Sequence, residues 1–324
     1  MIESDIAYER LDTTLERYGK SIKKNQGIGE FKEITFHHVW LKFQGFKSTQ
    51  IAKNTLGKYT ALLPVVHSFW RDTLPSCLKL DDSFLKEFNP QVSARVLKEQ
   101  IGYLSACWSW GQEKDWILPD LKNPFEGLTK MIKVEPKQPP RPFSSEEVCK
   151  IIDWFSGSHY QWYVQFLLST GCRISEAIGL RWKHVDTRNN TIWIGESLTR
   201  GERKSTKTNK ARVIPMNDSL RKIVLAAFNQ KGHSFLEDEL VFLSPQGKPI
   251  DDHNFNQRIW KKCLSECGIP YRRPYNCRHT FISHCLESGM SPATVASITG
   301  HDVQTLYDNY AGSVIQRPEI PGLF

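Results

Sequence analysis

Apolar side chains recur at helical spacing through the first third of the chain. Leu97, Ile101, Leu104 and Trp108 stand four, three and four positions apart, which lines them up on one face of a helix. The segment from Thr49 to Arg71 carries a second long helical pattern. These stripes predict a small helical bundle whose tryptophans fill a core rather than stack on bases. Beyond residue 190 the period changes. TIWIGE, ARVIPM and LVFLS are short runs rich in β-branched and aromatic residues and read as strands, the first two joined as a hairpin by a turn holding Lys207. Gly289 then marks the end of a helix that contains Arg278, and Ser291 with Pro292 supplies the cap and first position of the next. The fold class expected is mainly α with one small antiparallel β-sheet, a helical N-terminal domain followed by an α+β domain.

A boundary lies between the two patterns. From Lys122 to Arg141 there are five basic residues, two acidic ones and four prolines, and Ser144 with Glu147 then forms the capping box of a new helix. The chain is read as a polar tail or helix extension over residues 1–32, with Lys20, Lys23 and Lys24, and a helical domain over 33–121. A basic, semi-extended linker over 122–143, a second domain over 144–312 and a short tail over 313–324 complete it.

Composition fits two cores: 324 residues of which 40% are hydrophobic. The formal charge of +8 and pI near 9.0 favour a polyanionic partner. No apolar run approaches the length of a membrane span, in keeping with a mean hydropathy of −0.44. The cysteines are scattered among apolar neighbours with no secretory signal ahead of them, so reduced thiols in a cytosol are expected. Cys263, Cys267, His279 and His284 read as C-x3-C-x11-H-x4-H, close to a zinc-finger spacing, but Pro270 and Pro274 interrupt the place where a finger would build its strands, and no metal is expected.

The densest chemistry lies in YNCRHTFISHCLESGMSPATVASITGHDVQTLYDNY, residues 275–310, which sets out Arg278, a histidine after a glycine at His301, and Tyr310. Upstream, TGCRISEAIGLRW offers Arg173 in a turn that opens a helix, and KTNKARVIP offers Lys207 beside a strand. Any one of these residues alone is ordinary surface or packing. Together, over about residues 140–312, they resemble the catalytic domain of the tyrosine recombinases, the integrase family of phages and mobile elements.

That resemblance implies a division of labour. Arg173 and Arg278 would clamp the non-bridging oxygens of a scissile phosphate, Tyr310 would be the nucleophile, eased towards phenolate by the two arginines, and Lys207 would protonate the leaving 5′ oxygen. His301 would donate a hydrogen bond to the phosphate, and Glu176 would hold the Arg173 helix in place. Tyr307 is a rival nucleophile, short of the family's usual nine-residue step from the histidine. Most of the family has a histidine three residues before the second arginine, whereas this chain has Tyr275, as in some members from cyanobacterial elements. Tyr275 is expected to hydrogen-bond the phosphate or Tyr310.

By the same resemblance the N-terminal bundle would be a core-binding domain, and the linker a strap that closes around a duplex. The activity implied is site-specific recombination through a 3′-phosphotyrosine and a Holliday junction, with no cofactor. The partners implied are double-stranded DNA with paired recombination sites, a homotetramer on DNA and an accessory directionality protein, with no membrane, in a prokaryotic or phage-infected cytoplasm at the nucleoid. A type IB topoisomerase and a silent DNA-binding descendant of a recombinase are the alternatives.

Overall fold

In the computed structural model, which describes residues 34–74, 80–136, 138, 140–205, 211–230 and 236–310, the chain forms two units, Met1–Pro136 and Lys137–Phe324. Both terminal tails lie outside the described residues, as do Lys20, Lys23, Lys24 and Lys207.

The first unit is built on α1 (Phe36–Ser48), α2 (Lys53–Trp70), α3 (Asp82–Phe88), α4 (Ala94–Glu113) and the single turn α5 (Leu128–Met131). Side-chain caps set three of the starts: Thr35 accepts from His38 N, Asp81 from Ser83 N and Phe84 N, and Ser93 from Val96 N. The stripe on α4 turns inward, with Ile101, Leu104 and Trp108 buried and Leu97 packed at the edge of the same core. α2 begins at Lys53 rather than near Thr49. Trp40, Trp70 and Trp108 are all fully buried, and Phe36 packs 5.4 Å from both Trp70 and Phe125. The stretch expected as linker gives Phe125, Leu128 and Ile132 to this core, while Phe143 belongs to the core of the second unit. Apolar side chains within the basic, proline-containing run therefore end up in cores.

The second unit opens with α6 (Ser145–Phe155), whose capping box pairs Ser144 with Glu147, followed by α7 (Gln161–Thr170) and α8 (Ile174–Gly179). A three-stranded antiparallel sheet follows in the order β1 (Val185–Asp186), β2 (Thr191–Ile194), β5 (Arg212–Pro215), with Ile192 opposite Ile214. β2 and β5 pair as TIWIGE and ARVIPM predict, but they are not joined by one turn. A second hairpin, β3 (Glu196–Thr199) with β4 (Glu202–Ser205), stands between them. Its turn places Arg200 and Gly201 both at positive φ, the backbone a two-residue hairpin loop requires, and its polar strands carry too little alternation to be read from sequence. LVFLS forms no strand. It makes one bridge, Leu240 with Arg181, and buries Val241 and Phe242 before a turn through Pro245 and Gly247 ends it.

β3 is pressed onto α8 so closely that a Cβ at Gly179 would come within 2.8 Å of Leu198 N. The chain continues through α9 (Asp218–Gln230) and α10 (Asp252–Asn254), then a π-helical segment Phe255–Trp260 that runs into α11 (Lys261–Glu266). It ends in α12 (Asn276–Glu287), α13 (Pro292–Thr299) and α14 (Val303–Tyr310). Ser291 caps α13 with Pro292 in its first turn, and Gly289 adopts φ +91° after α12.

Candidate active site

The site begins where α7 ends. Gly171, at φ +59°, reverses the chain, and Arg173 follows as the N-terminal cap residue of α8. One turn on, Glu176 is 1% exposed. Its carboxylate accepts from Arg173 N at 3.0 Å and from Arg173 Nη1 at 2.7 Å. It is also gripped by Arg212 at the start of β5, through Nη2 at 2.6 Å and Nη1 at 3.2 Å. Burial alone would raise this carboxyl's pKa, but the two arginines outweigh it and hold the group below the usual carboxylate range. Arg212 Nε further donates to Ile298 O at 2.6 Å, and Arg173 Nη2 to Gly300 O at 3.1 Å. A single buried carboxylate thus ties α8, β5 and the end of α13 together.

α12 delivers Arg278 to the same place. This guanidinium is 1% exposed, donates through Nη1 to Gly171 O at 2.7 Å, and sets Nη2 at 3.0 Å from His301 Nδ1 and 3.2 Å from Nε2. The Thr299 hydroxyl spends its proton on Val295 O at 2.7 Å, so at 3.0 Å from His301 Nδ1 it can only accept. Arg278 Nη2, a donor only, thus faces both ring nitrogens, and Thr299 Oγ1 shares the Nδ1 edge. Burial, then Arg278 and Arg173, push the His301 pKa down to about 3, so this imidazole is neutral at pH 7.

Tyr310, the last residue of α14, is 4% exposed, and its hydroxyl is hydrogen-bonded to His279 Nδ1. The expectation that two arginines ease its ionisation is not met. Burial, reinforced by Tyr275, drives the phenol well above its ordinary range, and Arg278 opposes this only in part. Tyr307 is 49% exposed and stands apart from the buried cluster. Tyr275 sits at the start of α12 with its ring edge-on to His279 at 5.2 Å, and with Arg173 it lines a cavity of about 590 Å³. The bond to Tyr310 expected from Tyr275 is made by His279.

Sequence reasoning thus missed two residues. Arg212 opens a strand that reads as ordinary alternation, and His279, directly after Arg278, lies outside the family's usual histidine position. The zinc-like quartet disperses: Cys263 is in the core, Cys267 Sγ lies 3.5 Å from Lys150 O, His284 Nε2 is 3.1 Å from Phe143 O, and His279 faces Tyr310. Among the described residues no group of three or more His, Cys, Asp or Glu side chains could hold a metal ion, and no helix is long and apolar enough to cross a membrane.

A sequence profile described as the phage integrase family matches residues 143–316. The integrase of Staphylococcus phage L54a is 25% identical, over 89% of this chain and 91% of its own length. Among solved structures, the integrase of transposon Tn1549 in complex with a circular intermediate DNA is similar with a TM-score of 0.71 at 21% identity, covering 86% of this chain and 95% of that one. A lambda integrase tetramer bound to a Holliday junction is similar with a TM-score of 0.66 at 15% identity, covering 97% of this chain and 89% of that one.

Proposed function

The chain belongs to the phage integrase family and is a tyrosine site-specific recombinase, and we propose that Tyr310 is its nucleophile, acting on a phosphate held by Arg173, Arg278 and His301. What carries this reading is the convergence of these groups on two neighbouring turns. Arg278 is fixed on the carbonyl of Gly171 and beside His301, while Arg173 is fixed on the carbonyl of Gly300, the residue before His301. Two permanently charged guanidiniums held by buried partners need little rearrangement as charge gathers on the non-bridging oxygens. The cavity shared by Arg173 and Tyr275 gives the phosphate a way in.

The Tyr310 oxygen forms a bond to phosphorus as the bond from phosphorus to the 5′ oxygen breaks, and Lys207 gives that oxygen its proton. One ester replaces another, so the bond energy stays in the 3′-phosphotyrosine. The reverse attack by a 5′ hydroxyl of the partner strand rejoins the DNA. His301 is neutral beside Arg278, and it becomes a donor to the phosphate once that anion has raised its proton affinity.

The substrate is double-stranded DNA carrying paired recombination sites, with residues 33–121 as the core-binding domain and residues 144–312 as the catalytic domain. Four copies exchange strands through a Holliday junction, as the similarity to the lambda integrase tetramer supports. An accessory protein sets direction, and the work is done at the nucleoid. The test is a nicked suicide duplex. Wild-type protein forms a covalent adduct on it and Tyr310→Phe forms none; an adduct with Tyr310→Phe refutes the assignment.

A further inference from the structure

We infer that His279 is a further catalytic residue, the base that takes the phenolic proton of Tyr310 during cleavage and returns it during rejoining. The inference rests on Tyr310 being the nucleophile. α12 presents two adjacent side chains in different directions: Arg278 turns in to Gly171 O and His301, and His279 turns to α14, where its Nδ1 is hydrogen-bonded to Tyr310 Oη. The two rings lie 5.7 Å apart between centroids. Four residues earlier on the same helical path, the Tyr275 ring meets the imidazole edge-on at 5.2 Å and steadies it. None of the other named groups of the site suits the task. Arg173 and Arg278 have no lone pair to offer. His301 is already engaged by Arg278 at both ring nitrogens and by Thr299 at Nδ1. Tyr275, where most of the family has histidine, has no imidazole nitrogen to offer.

The step balances. The lone pair of His279 Nδ1 takes the proton from Tyr310 Oη as that oxygen bonds to phosphorus, and the bond from phosphorus to the 5′ oxygen breaks with its proton coming from Lys207. In rejoining, the 5′ hydroxyl returns a proton to Lys207, and the departing Tyr310 oxygen recovers its own from the His279 imidazolium. Burial of the phenol makes a dedicated acceptor useful, because Tyr310 ionises reluctantly where it stands.

The experiment uses the full chain on the nicked suicide duplex, with DNA affinity measured alongside. His279→Ala and His279→Gln should each slow adduct formation by about 10²–10⁴-fold at unchanged affinity, the usual range for a lost general base. Imidazole added to His279→Ala should restore part of the rate, and so should a fluorinated, more acidic tyrosine at position 310 in His279→Gln. A substrate with a bridging 5′ sulfur, whose leaving group needs no proton, should rescue Lys207→Ala and leave His279→Gln slow. Wild-type rates in His279→Gln, or slow rates that neither imidazole nor the fluorinated tyrosine improves, overturn the inference. If Tyr310→Phe stays inert in the same assay, that failure belongs to the base alone; if Tyr310→Phe forms an adduct, the nucleophile assignment falls with it.

Discussion

Arg212 and Glu176 form a bidentate pair, with the guanidinium at 2.6 and 3.2 Å from the two carboxylate oxygens and both side chains almost wholly buried, at 7% and 1% exposure. Removing one member of such a pair strands the other. Arg212→Ala should cost about 3–5 kcal/mol through an uncompensated buried carboxylate. It should also slow cleavage, because Arg173 and the chain around Ile298 lose their shared anchor. Arg212→Lys should recover little, since an ammonium cannot span both oxygens and Ile298 O at once. The readouts are thermal denaturation and hydrogen exchange at α8 amides; unchanged protection in Arg212→Ala would refute the anchoring role.

His301 and Glu176 give the fold an acid-sensitive site. The His301 pKa is depressed to about 3, so the unfolded chain binds more protons than the native one from its ordinary value near 6.5 downward, and stability falls as pH falls through that window. Glu176 acts in the same direction at lower pH: its folded pKa is below the unfolded value, so the stability it contributes is present above the unfolded pKa and lost as pH falls through the folded one. NMR titration of the free protein should show the His301 ring neutral through pH 5, and His301→Asn should flatten the upper part of the acid limb. On binding a specific duplex, the phosphate should raise the same pKa. Calorimetry at pH 6 in buffers of different ionisation enthalpy should then register proton uptake, absent in His301→Asn.

How much of this was legible beforehand depended on whether a residue's role follows from its neighbours in sequence. The α4 stripe, the Ser144 and Glu147 box and the Ser291 and Pro292 start are local patterns, and the structure contains all three. Arg173 with Glu176 was also readable, since three residues apart on a helix start is contact distance. The second partner of Glu176 comes from position 212, a strand away, and nothing in RVIP announces that its first side chain turns towards a carboxylate. The β3 and β4 hairpin escaped because its strands are polar. His279 escaped because its partner is thirty-one residues on, at the far end of another helix. Tyr310's burial, which reverses the expected direction of its ionisation, is set by packing around α14 that no spacing reveals.

Two glycines hold the turns on which the arginines rest, and each should resist substitution for its own reason. Gly171 sits at φ +59°, and an added Cβ would lie 2.6 Å from the Phe281 ring; Gly300 sits at φ +70°, and its Cβ would lie 3.0 Å from Arg212 Nη1. Gly171→Ala and Gly300→Ala should each destabilise the protein by about 1–3 kcal/mol. Both should also reduce cleavage more than duplex affinity, because Gly171 O and Gly300 O accept from Arg278 and Arg173. Gly157→Ala, at φ +72° with open space around the added carbon, is the control: it carries the backbone strain without disturbing the arginines, and its cleavage rate should match wild type. Equal effects on cleavage at all three positions would reduce the first two to backbone strain alone.

Tyr275 stands in two relationships that substitution can separate: its ring faces His279 edge-on at 5.2 Å, and it lines the cavity that Arg173 also lines. At 37% exposure it is open to an incoming phosphate. Tyr275→Phe keeps the ring and deletes the hydroxyl, so a bond made to the phosphate mainly in the transition state would be lost at a cost of about tenfold in cleavage rate, with folding and duplex affinity nearly unchanged. Tyr275→Ala deletes both and should fall further, because the imidazole of His279 loses the surface it rests on. Tyr275→His should keep measurable activity, since it restores a donor where most of the family has one. Single-turnover cleavage of the suicide duplex orders the three variants: Phe at the wild-type rate with Ala slow would leave Tyr275 as a support for His279, and Ala at the wild-type rate would remove it from the site altogether.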